Sequence, residues 1–338
     1  MKPNNPCGLA NLGNTCFMNS CMQVMNLIPE IDVAVSHIDQ SRRESIIFNE
    51  WIRLKTALKE HPNNVVVPTA FLKGIHQNAV MKNREIFTGF AQNDMPEFLL
   101  FFIELLHSSI CRPVNMNIKG QKENTTDSLA IQCYTMLKDT YSKEYSEIME
   151  VFYGISVSQI IGVSKPTKSL PQIQSLKPES FFILDLPISG ESIYDCLDTY
   201  VASEVLEGDN AWFNENTNRK ETAHKNIVFW NFPKILVVVF KRFSANGQSK
   251  NGTFIQFPIE QLNLSKYVVG YNPKTYVYDL FGVCNHLGGV SGGHYTSFGK
   301  NGGSWFHYND TRVEEVPRPE MMVTPAAYCL FYRKKNKQ

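Results

Sequence analysis

The reactive side chains of this 338-residue chain gather at its two ends, so a fold that joins them must close on itself across nearly its whole length. Near the start runs Gly8-Leu-Ala-Asn11-Leu-Gly13-Asn14-Thr15-Cys16-Phe17-Met-Asn19-Ser-Cys21. Near the end runs Ser291-Gly292-Gly293-His294-Tyr295, then Trp305-Phe-His307-Tyr308-Asn309-Asp310. These supply a cysteine at a helix start, an imidazole between strand signals, and an amide or carboxylate to orient it. That is the parts list of a cysteine nucleophile with a histidine base.

Asn14-Thr15 precedes Phe17, Cys21, Val24 and Ile28, which recur at i, i+4, i+7 and i+11 and predict a helix over 16–28 with one core-facing stripe. Cys16 then lies in the first turn, where unpaired N–H groups and the positive dipole end favour a thiolate. Gly13 permits the sharp turn before it. Asn11 is short and polar enough to aim its amide at a developing oxyanion beside the Cys16 N–H. A buried core cysteine is the competing reading, and Cys21 on the Phe17 stripe fits it. The two cannot bridge: five helical residues turn about 140° and part the Cα atoms by roughly 8 Å.

At the other end, 277–284 carries a strand pattern, 287–293 a glycine-rich flexible loop making a hairpin-like connection, and 294–298 a second strand. The glycines, Gly292 and Gly293 among them, let backbone approach something bound. Asn301-Gly-Gly-Ser then turns the chain so that Asn309 can come beside His294, where its carbonyl would fix the ring tautomer. His286 and His307 are rival bases, and periodicity alone does not exclude His307.

These segments resemble the cysteine and histidine boxes of the ubiquitin-specific proteases, papain-like deubiquitinases. Three further stretches match motifs of that family: Ala91-Gln92-Asn-Asp94-Met-Pro-Glu97-Phe98, Phe232-Pro233-Lys234 through Lys241-Arg242-Phe243, and Ala327-Tyr328 through Tyr332-Arg333. The resemblance, five motifs in family order, spans 6–333 and leaves 334–338 as a basic, solvated tail. It implies an α+β papain-like fold with a helical thumb over about 6–150 and strand-rich fingers and palm over about 151–333. It implies hydrolysis after the C-terminal glycine of ubiquitin, with Cys16 as nucleophile, His294 as base and acid, Asn309 as the orienting residue, Asn11 as oxyanion donor and Asp310 as a further polar group. Gln92, Asp94, Gly292, Gly293 and Tyr295 would flank the substrate tail. For Asp94 a second reading stays open: Asp94-x-x-Glu97 is also an N-cap pattern opening a helix to Leu106.

The family usually holds zinc in its fingers with two Cys-x-x-Cys pairs. Here the matching stretches, 157–162 and 212–216, hold no cysteine, and none of the eight cysteines is spaced by two. No cofactor and no metal is therefore expected. Asn93-Asp94 and Met95-Pro96 replace commoner residues, and proline is tolerated in a first turn. Asn309 in place of Asp is an option within the family.

A 43% hydrophobic content can build a substantial core. A net charge of +1 gives no argument for nucleic acid or membrane. The start lacks a signal-peptide core and no run reaches membrane-spanning length. Scattered cysteines point to a reducing compartment, cytoplasm or nucleus. Helices are expected first (16–28, the stripe Ile47, Trp51, Leu54 and Leu58, and 97–106), then strands at 151–163, 181–187, 235–243, 276–283 and 328–333. The polar stretch 119–127 and the proline-containing stretch 164–178 read as loops. Partners implied are ubiquitin or ubiquitinated proteins, with targeting proteins for so bare a unit. A ubiquitin-binding scaffold without turnover is opposed by the joint presence of Cys16, His294, Asn309 and Asn11. The motif order opposes a papain-like transferase. A protease for another ubiquitin-like modifier stays open, because the fingers lack their usual cysteines.

Overall fold

The computed structural model describes residues 6–336, apart from 40, 90, 163–172 and 291. Ser291 of the histidine segment and most of the loop expected before residue 173 lie outside the described residues.

The first half is helical. β1 (Gly8–Leu9) leads into α1 (Cys16–Met25), followed by α2 (Ser45–Glu60), β2 (Val65–Val66), α3 (Thr69–Met81), α4 (Met95–Ile110), α5 (Thr125–Tyr141) and α6 (Glu147–Phe152). The α2 stripe is as expected: Ile47, Trp51, Leu54 and Leu58 are buried, with Phe48 beside them. α4 starts where the cap pattern placed it, Asp94 Oδ1 accepting the Glu97 N–H at 3.0 Å, and it buries Phe98, Phe101, Phe102 and Leu106. Edge-on rings of Trp51 and Phe102, 5.5 Å apart, join α2 to α4.

The second half is mostly strand: β3 (Gly154–Gly162), β4 (Ile173–Phe181), β5 (Ile183–Leu186), α7 (Ile193–Val201), β6 (Glu204–Leu206), β7 (Trp212–Asn214), β8 (Arg219–Glu221), β9 (Ala223–Asn231), β10 (Ile235–Phe240), β11 (Leu262–Asn263), β12 (Val277–Gly289), β13 (Gly292–Asn301), β14 (Ser304–Asn309), β15 (Arg312–Val316) and β16 (Ala327–Lys334). One large sheet runs β15-β14-β13-β12-β16-β10-β5, with β11 on β12. A second sheet runs β4-β3-β9-β6, and β7 pairs β8 as a hairpin.

β10 is buried along its whole length because both of its faces are covered. Ile235, Val237 and Val239 join the helical core, while Leu236, Val238 and Phe240 join the core under α7. This is why its sequence reads as an unbroken apolar run rather than an alternation. α1 lies flat on the same sheet against β12 and β13. Gly282 and Gly299 make that contact possible: a Cβ on Gly282 would meet Val24 at 2.3 Å, and one on Gly299 would meet Leu27 at 2.6 Å. The helix that starts at Cys16 is thereby seated beside the strand that carries His294.

Several expectations need correction. α1 stops at Met25, three residues early, although Ile28 remains buried. The strand expected from residue 151 begins at Gly154, because α6 claims Val151 and Phe152. α5 begins inside the stretch read as a loop, capped by an Asn124–Asp127 box. Residues 173–178 are strand β4 rather than loop, and Pro178 is tolerated there because β4 is an edge. The hairpin-like connection expected over 287–293 is present, but strand pairing runs further into it than the loop reading placed it, with Gly288 opposite Gly293 and Gly289 opposite Gly292. The tail is shorter than expected: Lys334 closes β16 with its ammonium over the Tyr276 ring, and Lys335 pairs with Asp279 at 3.1 Å.

Candidate active site

Two consecutive left-handed residues, Gly13 and Asn14, swing the chain into α1. Thr15 precedes the helix without capping it: its Oγ1 accepts from the Leu12 N–H at 2.9 Å instead. Thr15 thus leaves the first turn uncapped, and the N–H groups of Cys16 and Phe17 bear on the Cys16 sulfur, joined by the Tyr295 amide. Cys16 is only 3% exposed. Burial, with a smaller push from the Asp310 carboxylate, outweighs those three amides and holds the thiol above its ordinary value of 9.0. The resting thiolate expected from helix position alone is not favoured here.

His294 Nε2 lies 2.7 Å from Asn309 Oδ1. An amide oxygen only accepts, so Nε2 carries the hydrogen and Nδ1 is left as the basic nitrogen. β13 and β14 make this contact by running side by side. Among the described residues Cys16 has no hydrogen bond to His294, an arrangement common before substrate binds. The rival bases are accounted for. His286 is 5% exposed, boxed by Phe243, Tyr295 and Tyr328, and burial with nearby Lys250 pushes it down to about 4. His307 lies with its ring 4.7 Å from that of Phe298 and is lowered by burial.

Asp310 sits in the left-handed region and joins the two ends of the chain. Its Oδ2 accepts from Asn11 Nδ2 at 2.9 Å and its Oδ1 from Asn19 Nδ2 at 2.8 Å. Asn11 Oδ1 in turn accepts the N–H groups of Gly13 and Thr15, each at 3.1 Å. Both sides of the Asn11 amide are therefore assigned, with the NH2 toward Asp310.

Of the expected substrate-flanking residues, Gln92 meets the hairpin directly: its Nε2 donates to the Gly293 carbonyl and its Oε1 accepts the Gly293 N–H, both at 3.0 Å. Gly292 is beside it, in the left-handed region. Asp94 caps α4 and also accepts from the Tyr328 hydroxyl at 2.7 Å. Tyr295 turns its ring inward against His286, 4.7 Å between centroids, so its backbone is what faces Cys16. Lys250, in the segment 248–253, donates to the carbonyls of His286 and Gly288. No signal in the sequence marked it, since its partners are backbone atoms.

The residues in the strand-rich part do not fit a four-cysteine zinc site. The β7–β8 hairpin is closed by Asn214 Nδ2 and Thr217 Oγ1, both donating to the Glu221 carboxylate. Among the described residues no group of three or more His, Cys, Asp or Glu is placed to hold a metal.

A family model described as ubiquitin carboxyl-terminal hydrolase matches residues 7–332. "Ubiquitin carboxyl-terminal hydrolase Usp2" of Drosophila melanogaster is 29% identical over 97% of this chain, which spans 35% of that protein. "Ubiquitin carboxyl-terminal hydrolase 2" of Homo sapiens is 31% identical over 96% of this chain, which spans 54% of that protein. Chains from two solved structures of the SAGA DUB module Ubp8/Sgf11/Sus1/Sgf73, one bound to monoubiquitin and one to ubiquitin aldehyde, align with 98% of this chain and 70% of theirs at TM-score 0.72 and 25% identity.

Proposed function

The chain belongs to the ubiquitin carboxyl-terminal hydrolase family, and from that membership we propose that it is a thiol-dependent deubiquitinase, cleaving the peptide or isopeptide bond after the C-terminal glycine of ubiquitin. The fold is α+β and papain-like. In our reading α1 to α6 form the thumb, the β4-β3-β9-β6 sheet the fingers, and the large sheet the palm.

The observation that carries the proposal is the His294–Asn309 contact on the strand whose next amide faces the Cys16 sulfur. Asn309 holds Nε2 as the N–H, so Nδ1 takes the Cys16 proton as the sulfur attacks the glycine carbonyl. The negative charge moves to the carbonyl oxygen, facing the Cys16 N–H and the Asn11 amide. Each such donor typically lowers the barrier by about 3 kcal/mol. The resulting imidazolium protonates the departing amine and leaves a thioester on Cys16. His294 then takes a proton from water as the water oxygen attacks the thioester and returns that proton to the departing sulfur, which leaves the Cys16 thiol and a carboxylic acid that loses its proton to solvent. Because the resting thiol is held up by burial, proton removal accompanies substrate binding rather than preceding it.

Gln92, Gly292 and Gly293 would flank the extended tail, and a Cβ on Gly293 would meet His286 Nε2 and the Leu287 carbonyl at 2.4 Å, so that glycine lets the hairpin close on the His286 ring. Eight free cysteines suit a reducing compartment, cytoplasm or nucleus. The bound partners in the solved SAGA modules fit a proposal that docking proteins direct this chain to its substrates. Hydrolysis of ubiquitin carrying a C-terminal amide-linked fluorophore tests the activity: release abolished by Cys16→Ala and by His294→Ala supports it, and release unaffected by either overturns it.

A further inference from the structure

β12 and β13 outrun their neighbours. β12 pairs β16 only as far as Asn285 opposite Ala327, with one further bond from the His286 N–H to the Ala326 carbonyl. β13 pairs β14 only from Ser297 opposite Tyr308 onward. Between those limits the two strands project as a bare hairpin, and His294 is on it, opposite Leu287. The outer edges of such a projection hold backbone groups with no strand to meet them.

Among the described residues, the β13 edge is met by the Gln92 side chain and, at the Tyr295 amide, by the Cys16 sulfur, and the β12 edge by the Lys250 side chain. On the β13 edge the Gln92 amide takes both groups of Gly293. On the β12 edge the Lys250 ammonium donates to the His286 carbonyl at 2.7 Å and the Gly288 carbonyl at 3.0 Å. Carbonyls two residues apart on a strand point the same way, so one ammonium reaches both. Lys250 stands where β16 would have continued.

The base of this strut is itself fixed. An antiparallel bridge joins Phe243 to Lys250, and the Phe243 ring lies 5.9 Å from the ammonium. Arg242, 1% exposed, grips the same loop, donating from Nη1 to the carbonyls of Asn251 and Thr253 at 2.9 Å each. Its Nε donates to the Ala327 carbonyl at 2.7 Å, which ties the loop to β16. Among the described residues no carboxylate pairs with Lys250, so its charge is directed at the two hairpin carbonyls.

We propose that Lys250 is a positioning residue for His294, holding the projecting β12 edge so that the imidazole stays in line with Asn309 and Cys16. The inference rests on the reading of His294 as the base. A small displacement of a reacting group is costly, about a hundredfold for 1 Å, and among the described residues no other side chain donates to the His286 and Gly288 carbonyls.

Hydrogen exchange and steady-state kinetics of the whole chain test it, on wild type, Lys250→Met and Lys250→Arg. With Lys250→Met, amides of 286–296 should exchange about tenfold faster while those of β10 stay unchanged. kcat on the ubiquitin–fluorophore substrate should fall about tenfold or more with KM within about twofold. Lys250→Arg, which can still donate to both carbonyls, should recover most of kcat. Unchanged hairpin exchange, a general rise across the protein, or a raised KM at constant kcat would each overturn the proposal. If Lys250→Met does not fold, Lys250→Gln takes its place and should lose kcat by an intermediate factor. A wild type that fails to cleave ubiquitin refutes the functional reading instead, and the exchange result, which needs no substrate, still decides whether Lys250 holds the hairpin.

Discussion

The Asn11 side-chain amide donates to the Asp310 carboxylate at 2.9 Å. This bond stitches the segment before Cys16 to the residue after Asn309, and it fixes which way Asn11 points. One amide hydrogen is committed to Asp310, and the other is the one available to an oxyanion.

Removing that donor should slow the chemistry without unfolding the protein. Asn11→Ala should lower kcat by about a hundredfold, with thermal stability close to wild type because the residue is exposed. Asp310→Ala should lower kcat less but melt earlier, since the buried Asn19 amide also loses the shorter of its two hydrogen bonds and keeps only the one to the Ala10 carbonyl. An Asn11→Ala enzyme of wild-type kcat would remove Asn11 from the mechanism.

Cys16 should behave as a protonated thiol at rest. Its thiol lies above 9.0 because burial opposes the charged form, and the Asp310 carboxylate adds to this. Alkylation of Cys16 by iodoacetamide, followed by peptide mapping, should therefore be slow near neutrality and keep rising beyond pH 9.0. A plateau reached already below neutral pH would mean a preformed thiolate–imidazolium pair.

Asp94 separates charge from capping. Burial raises its carboxyl above the ordinary 3.8, against the opposing pull of Tyr328 and the Glu97 amide. A raised carboxyl stabilises the fold when protonated, and that benefit is lost as pH rises through the folded-state value. At neutral pH the ionised group therefore carries a desolvation cost. Asp94→Asn keeps a capping oxygen without the charge and should melt at or above the wild-type temperature at pH 7. Asp94→Ala should cost about 1–2 kcal/mol through the lost cap. Equal damage from both variants would contradict this account.

The β7–β8 hairpin should be indifferent to zinc. Its closure rests on hydrogen bonds from Thr217 and Asn214 to Glu221, which hold that carboxyl below its ordinary value. A strong zinc chelator should leave melting temperature and turnover unchanged, whereas Glu221→Ala should speed amide exchange within 212–221. Because the carboxyl is lowered, this closure should be present above 4.5 and weaken as pH falls through the folded-state value. A melting temperature that drops in chelator would show a metal in the fingers.

The parts legible in the sequence were those written in local pattern. α2 and α4 carry apolar stripes, α4 also its cap, and β10 and β16 are apolar runs because both of their faces are covered. α5 escaped notice because it buries only Leu129, Ala130 and Cys133 and its cap lies in a polar stretch. Cys16, His294 and Asn309 were legible as motif residues, and the structure brings His294 and Asn309 into contact. The state of the Cys16 thiol was not, since the helix end is local information and burial is not. Lys250 and the Gln92–Gly293 pairing were illegible for a related reason: both bind backbone atoms whose nearness depends on where β14 and β16 stop.

The central claim is that Cys16, served by His294, attacks the C-terminal carbonyl of ubiquitin. Ubiquitin bearing a C-terminal electrophile, reacted with the purified chain and mapped by mass spectrometry, tests it most directly. The account requires an adduct on Cys16 that His294→Ala suppresses. An adduct on another cysteine, or none while ubiquitin still binds, would contradict it.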